Sequence, residues 1–210
     1  MDRPPAKPRG QATGRTGVSQ PADQASRRGP RSDATRNRAR LLAAATELFV
    51  EHGPDVPYTE IAKAAKVGVG TIYRHFPTRE ELIEAAYRSE LDAVCDAAGE
   101  LLASRNPEEA LRTWMDRFIE YMTTKLGLTE AIRAVVASGG NPFAQSREKL
   151  NVVLGDLLDA TAASGVTRPE VSADDLLMTL SGLAMAAGAP DQRDQLRRMV
   201  DLVYEGLRSH

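Results

Sequence analysis

A chain of 210 residues, 42% of them apolar, with a single cysteine can bury a sizeable core without disulfides, and Cys95 alone supports neither an intramolecular bridge nor a Cys-rich metal site. No apolar run approaches the roughly 18–20 residues that cross a bilayer, and no apolar segment follows the first arginines, so the expectation is a soluble cytoplasmic protein without a membrane partner. The net charge of −2 hides an asymmetry: residues 1–76 carry 13 Lys and Arg against 7 Asp and Glu, whereas residues 77–210 carry 14 against 22, which fits a nucleic-acid footprint confined to one end.

Few aromatic or alternating runs and many Ala, Leu, Glu and Arg residues predict an all-α protein. Residues 1–33 are rich in Pro, Gly, Arg, Ser and Gln, so a disordered basic tail is expected, either a solvated end or a source of phosphate attraction. A first helix is expected from about Asp33 or Ala34 to Glu51, with Leu41, Leu42, Ala45, Leu48 and Phe49 as its buried stripe. Arg36, Arg38 and Arg40 crowd its first turns against the helix dipole, which hints at an external anion such as phosphate. His52-Gly53-Pro54 ends it, and a second helix runs from about Pro57 to Ala65.

Lys66-Val67-Gly68-Val69-Gly70 is then too glycine-rich for a stable helix interior, and Thr71 to Phe76 forms a short amphipathic piece that Pro77 stops. Two short helices around a tight turn give the helix-turn-helix pattern, whose second helix enters the major groove of DNA. Gly68 and Gly70 allow close backbone approach, and Thr71, Tyr73, Arg74 and His75 all carry donors for phosphate or base edges. Ile72 and Phe76, four apart, anchor the piece to a core. The same pattern also fits a helical hairpin whose glycines serve only packing.

Thr78 and Glu81 form a capping box for a long helix to about Ser104 that carries Cys95 on its apolar side. Asn106-Pro107-Glu108-Glu109 opens the next, which Gly127 stops; Thr129 to Ser138 is a shorter one, and Phe143 to about Ser164 follows. Ser172 with Asp175 caps another, and Pro190-Asp191 begins the last, for about nine helices without internal repeats.

The run Gly70-Thr71-Ile72-Tyr73-Arg74-His75-Phe76-Pro77-Thr78-Arg79-Glu80-Glu81-Leu82, with Glu60-Ile61-Ala62 and Val67 in register before it, resembles the DNA-binding motif of the TetR/AcrR family of bacterial transcriptional regulators. The resemblance is strong from about Thr35 to Leu91. Two positions depart from it. Lys66 stands where the turn glycine is usual and would have to adopt a left-handed backbone, and Gly68 stands where a Ser or Thr cap is common.

The resemblance implies a three-helix DNA-binding unit over residues 34–80 and a helical effector-binding and dimerisation unit over residues 81–210. It implies DNA contacts from Arg36, Thr59, Gly68, Val69, Gly70, Thr71, Tyr73, Arg74, His75 and Arg79. Helices between Leu82 and Gly165 would enclose an effector pocket lined by Trp114, Met115, Phe118, Met122 and Phe143, with Tyr121 and Arg133 supplying polarity. A Met and aromatic stripe at helical spacing also suits plain core. The last two helices would pair with those of a second copy through Leu176, Leu180, Leu183, Ala184, Ala187, Leu196, Met199, Val203 and Leu207. A homodimer of this kind reads a palindromic operator on double-stranded DNA and is released, as a repressor, by a small apolar ligand.

The alternative is a DNA-binding regulator without a small-molecule effector, controlled by a protein partner or constitutive. An enzyme is disfavoured: His52, His75 and His210 are scattered, no metal-ligand pair occurs, and no Ser/His/Asp arrangement can be argued, so no cofactor, metal or catalytic residue is expected.

Overall fold

The computed structural model describes residues 1, 30–187 and 192–209. Among these it contains nine helices: α1 (Pro30–His52), α2 (Tyr58–Ala65), α3 (Val69–His75), α4 (Arg79–Ser104), α5 (Pro107–Gly127), α6 (Thr129–Ala137), α7 (Ser146–Ala163), α8 (Ala173–Ala186) and α9 (Arg193–Leu207). No described residue lies in a strand; a single bridge pairs Thr167 with Arg208. No described helix is long and apolar enough to cross a membrane.

The expected tail falls mostly on residues 2–29, outside those described. The first helix starts at Pro30, ahead of the expected Asp33, since proline has its φ already set for a first helical turn. Gly53, at φ 79°, terminates it and donates from its N–H to the Phe49 carbonyl at 3.0 Å. Lys66 does take the left-handed backbone, at φ 56° and ψ 44°. Its N–H reaches the Lys63 carbonyl at 3.2 Å and the Val67 N–H reaches Ala62 at 3.0 Å, the bond pair of a Schellman ending. Thr78, Asn106 and Ser172 cap α4, α5 and α8, accepting from the N–H groups of Glu81, Glu109 and Asp175. The seventh helix starts at Ser146 and not Phe143, because Gln145 stands in a left-handed turn at φ 63°.

Packing gives two helices leading roles. α4 lies against α1 at one end of the chain's fold and against α5, α6 and α7 along its length. α5 is the hub, touching α4, α7, α8, α9 and α1. Its inner stripe, Leu111, Trp114, Met115 and Phe118, is essentially inaccessible to solvent. The Trp114 indole N–H donates to the Val94 carbonyl at 2.9 Å, so the ring is buried without an orphaned donor. One apolar core therefore runs from Leu41 of α1 to Leu207 of α9 without interruption.

Candidate nucleic-acid interface and apolar cavity

α2 and α3 meet through small and apolar side chains. Ile61, Ala62 and Ala65 of α2 are buried, and on α3 Ile72 is fully buried. Phe76, just beyond α3, is buried as well. That anchoring turns the other side of α3 outward: Gly70, Tyr73, Arg74 and His75 are all exposed, Tyr73 by 57%. A Cβ placed on Gly70 would meet nothing within 4 Å, so packing inside the chain does not demand glycine there. Glycine at that point of the outer face leaves room for an external surface to come close.

Tyr73 is steadied by Tyr58, whose ring centroid lies 5.0 Å away at 55°. Tyr58 is buried, its hydroxyl donates to the Phe76 carbonyl at 3.4 Å, and burial pushes its phenol pKa up, opposed by the nearby Arg79. Arg74 folds back along its own helix, its Nε donating to the Gly70 carbonyl at 3.1 Å. Thr59 is exposed in the first turn of α2, and Gly68 caps α3 without a side-chain bond. Val69 and Thr71 are half-buried.

Two of the expected phosphate contacts also hold parts of the chain together. Arg79 is half-buried; its Nη1 donates to the Pro54 carbonyl and to the Val56 carbonyl at 2.6 Å, while its guanidinium lies 5.4 Å over the Tyr58 ring. It pins the α1–α2 loop to the start of α4. Arg36 is exposed but pairs with Asp33 one turn earlier. Arg38 and Lys66 are exposed cations outside that contact set. Arg38 lies 5.3 Å over the Phe76 ring, and Lys66 occupies the turn before α3. The crowd of arginines in the first turns of α1 and the departure at Lys66 were the sequence signals for both.

A cavity of about 440 Å³ opens between α5, α7, α8 and the α6–α7 loop. Phe118, Tyr121, Met122 and Phe143, four of the residues named for an effector pocket, line it. Trp114 and Met115 do not line it: both are fully buried, and Trp114 stacks on Phe118 at 5.5 Å from behind. Arg133 is exposed on α6, away from the lining. The wall instead draws on residues that helical spacing within one segment did not single out: Lys125, Ser146, Arg147, Leu150, Leu177, Met178, Ser181, Gly182 and Met185.

On the last two helices, Leu176, Leu180, Ala184, Ala187, Leu196 and Leu207 are buried within the single chain, and Leu183, Met199 and Val203 are half-buried. The fully buried members of that set therefore serve the chain's own core. The most exposed apolar side chains on these helices are others, Met178 and Met185 on α8 and Leu202 on α9, with Gly182 and Gly206 exposed beside them in sequence register. Met178, Met185 and Leu202 are exposed by 60%, 67% and 73%.

Residues 41–86 match the model for bacterial regulatory proteins of the TetR family, and residues 106–209 match that for the C-terminal domain of SbtR-like transcriptional regulators. The crystal structure of a TetR transcriptional regulator from Streptomyces coelicolor, SCO0520, is 50% identical, with a TM-score of 0.79 over 81% of this chain and 98% of that one. The chain belongs to the TetR family of transcriptional regulators. A second TetR regulator structure, from Mycobacterium vanbaalenii, is 32% identical, with a TM-score of 0.70 over 85% of this chain and 99% of that one. The transcriptional repressor KstR of Rhodococcus jostii is 27% identical over 179 residues, 79% of this chain and 82% of the relative. For this TetR-family regulator, the helix-turn-helix over α2 and α3 is thus a family feature.

Proposed function

We propose that this TetR-family regulator is a homodimeric repressor that reads a palindromic operator with α3 and leaves it when a small amphipathic molecule enters the cavity beside α5. The observation that carries the DNA half of the reading is the division of α3: Ile72 is wholly buried while Tyr73, Arg74 and His75 stand outside it. Two such helices related by a two-fold axis fit half-sites about one DNA turn apart, ~34–36 Å or somewhat more. Residues 34–80 form the reading unit in this proposal and residues 81–210 the sensing and pairing unit. The effector half is supported by an apolar cavity walled by α5, whose last turn lies against α1 of the reading unit. Effector and operator would then oppose one another through a shift between two conformers, each weakening the other's binding equally.

Selection of bound fragments from random DNA, followed by gel shift, tests the reading. Tyr73→Ala and His75→Ala should each lower operator affinity at least ten-fold while sedimentation shows an unchanged assembly. Full affinity in both variants would remove α3 from the interface.

A further inference from the structure

The cavity discriminates by charge as well as by shape, an inference that rests on reading it as the effector site. Phe118, Met122, Leu150 and Leu177 contribute to its apolar surface, with Phe143, Met178 and Met185. Its polar side chains are almost all spent on the protein itself. Tyr121 shares a hydrogen bond with the Tyr87 hydroxyl at 2.9 Å, and Tyr87 donates to Ser146 Oγ at 3.3 Å. Ser181 Oγ donates to the Leu177 carbonyl at 2.7 Å. Arg147 is held bidentately by Asp174 at 2.8 and 2.6 Å, and Asn151 donates to the same carboxylate at 2.9 Å. The Arg147 hydrogen bonds hold the Asp174 carboxyl at about 2, so it is ionised at neutral pH.

Lys125 is the exception. It is half-buried on the cavity wall, its ammonium 5.0 Å over the Phe143 ring, and no ion pair among the described residues includes it. No described residue on the wall is a carboxylate. A half-buried cation beside an apolar surface interacts with a nearby anion more strongly than an open surface lysine does. A cationic ligand would meet Lys125 without compensation. A polyol would give up water for hydroxyl groups that already have partners.

We propose that the effector is an amphipathic monoanion, with an apolar body lying along Phe118, Met122, Leu150 and Leu177 and a carboxylate or equivalent head paired with Lys125. Isothermal titration of the full chain with decanoate, 1-decanol and decyltrimethylammonium tests this, using wild type, Lys125→Gln and Lys125→Arg of matched melting temperature. Decanoate should bind at least ten-fold more tightly than the other two; Lys125→Gln should bring it to the level of decanol, and Lys125→Arg should restore most of the preference. Decanol binding as tightly as decanoate, or decanoate indifferent to Lys125→Gln, overturns the anionic head and leaves the cavity as an effector site. Failure of all three probes to bind wild type overturns both readings together.

Discussion

Lys66 holds a left-handed backbone that glycine adopts freely, at a conformational cost of about 1 kcal/mol for a side chain with a Cβ. It also places an exposed cation in the turn that leads into α3. Strain kept at such a point is intelligible if the ammonium meets phosphate. Lys66→Gly should therefore raise stability by about 1 kcal/mol, read as a higher urea midpoint with unchanged slope. The same variant should weaken operator binding and reduce the salt dependence of log K by about one unit. A more stable protein with an unaltered salt slope would leave the lysine without a DNA role. Cys95 is half-buried, and burial pushes its thiol up to about 11, so it is protonated at neutral pH and poorly suited to redox sensing.

Among the described elements, α5 touches both the cavity and α1 of the proposed reading unit. Phe118, Tyr121, Met122 and Lys125 face the cavity, and two residues after Lys125 the helix ends at Gly127. A Cβ on Gly127 would stand 2.7 Å from Val50 Cγ1 and 3.1 Å from Cγ2, on α1. Valine in a helix has one strongly preferred rotamer, so neither methyl turns away cheaply. Gly127→Ala should cost about 1 kcal/mol, the low end for overpacking because Gly127 and Val50 are both exposed, and shift α5 against α1. Val50→Ala in the same chain should recover most of that loss and of the accompanying drop in operator affinity. A double-mutant cycle measures the coupling, and strict additivity would show that this joint carries nothing between the two units.

For the whole molecule, the exposed stripe of Met178, Gly182 and Met185 on α8 and of Leu202 and Gly206 on α9 is the surface offered to a second copy in the proposed dimer. Glycines that meet nothing within 4 Å, as at Gly182 and Gly206, let another helix approach closely. Met185→Glu with Leu202→Glu would bury two charges in that interface, so light scattering should find a monomer that melts cooperatively and binds a single half-site weakly. A dimer surviving both changes would place the interface elsewhere. Met178, Gly182 and Met185 also edge the cavity, so in this proposal effector entry and pairing would share one border.

The division of labour between sequence and tertiary structure follows from range. Capped helix starts were legible in the chain because they are local: Thr78, Asn106 and Ser172 cap where their spacing to Glu81, Glu109 and Asp175 says they must, whereas the uncapped starts of α1 and α7 each lay three residues from expectation. The helix-turn-helix was legible for the same reason, since its glycines, its apolar anchors and its outward donors all lie within some twenty residues. What a side chain does on its helix was not. Leu180 and Met178 are both apolar and sit two residues apart, yet one is buried and the other exposed, because α5 and α7 cover only one side of α8. Likewise Trp114 and Phe118 share a stripe of α5, but Phe118 reaches the cavity and Trp114 lies behind it. Arg79 sits where a phosphate contact is expected, and only the folded α1–α2 loop, brought back across more than twenty residues, claims it for two carbonyls. Such assignments depend on which neighbour arrives from far along the chain, and no local pattern encodes that.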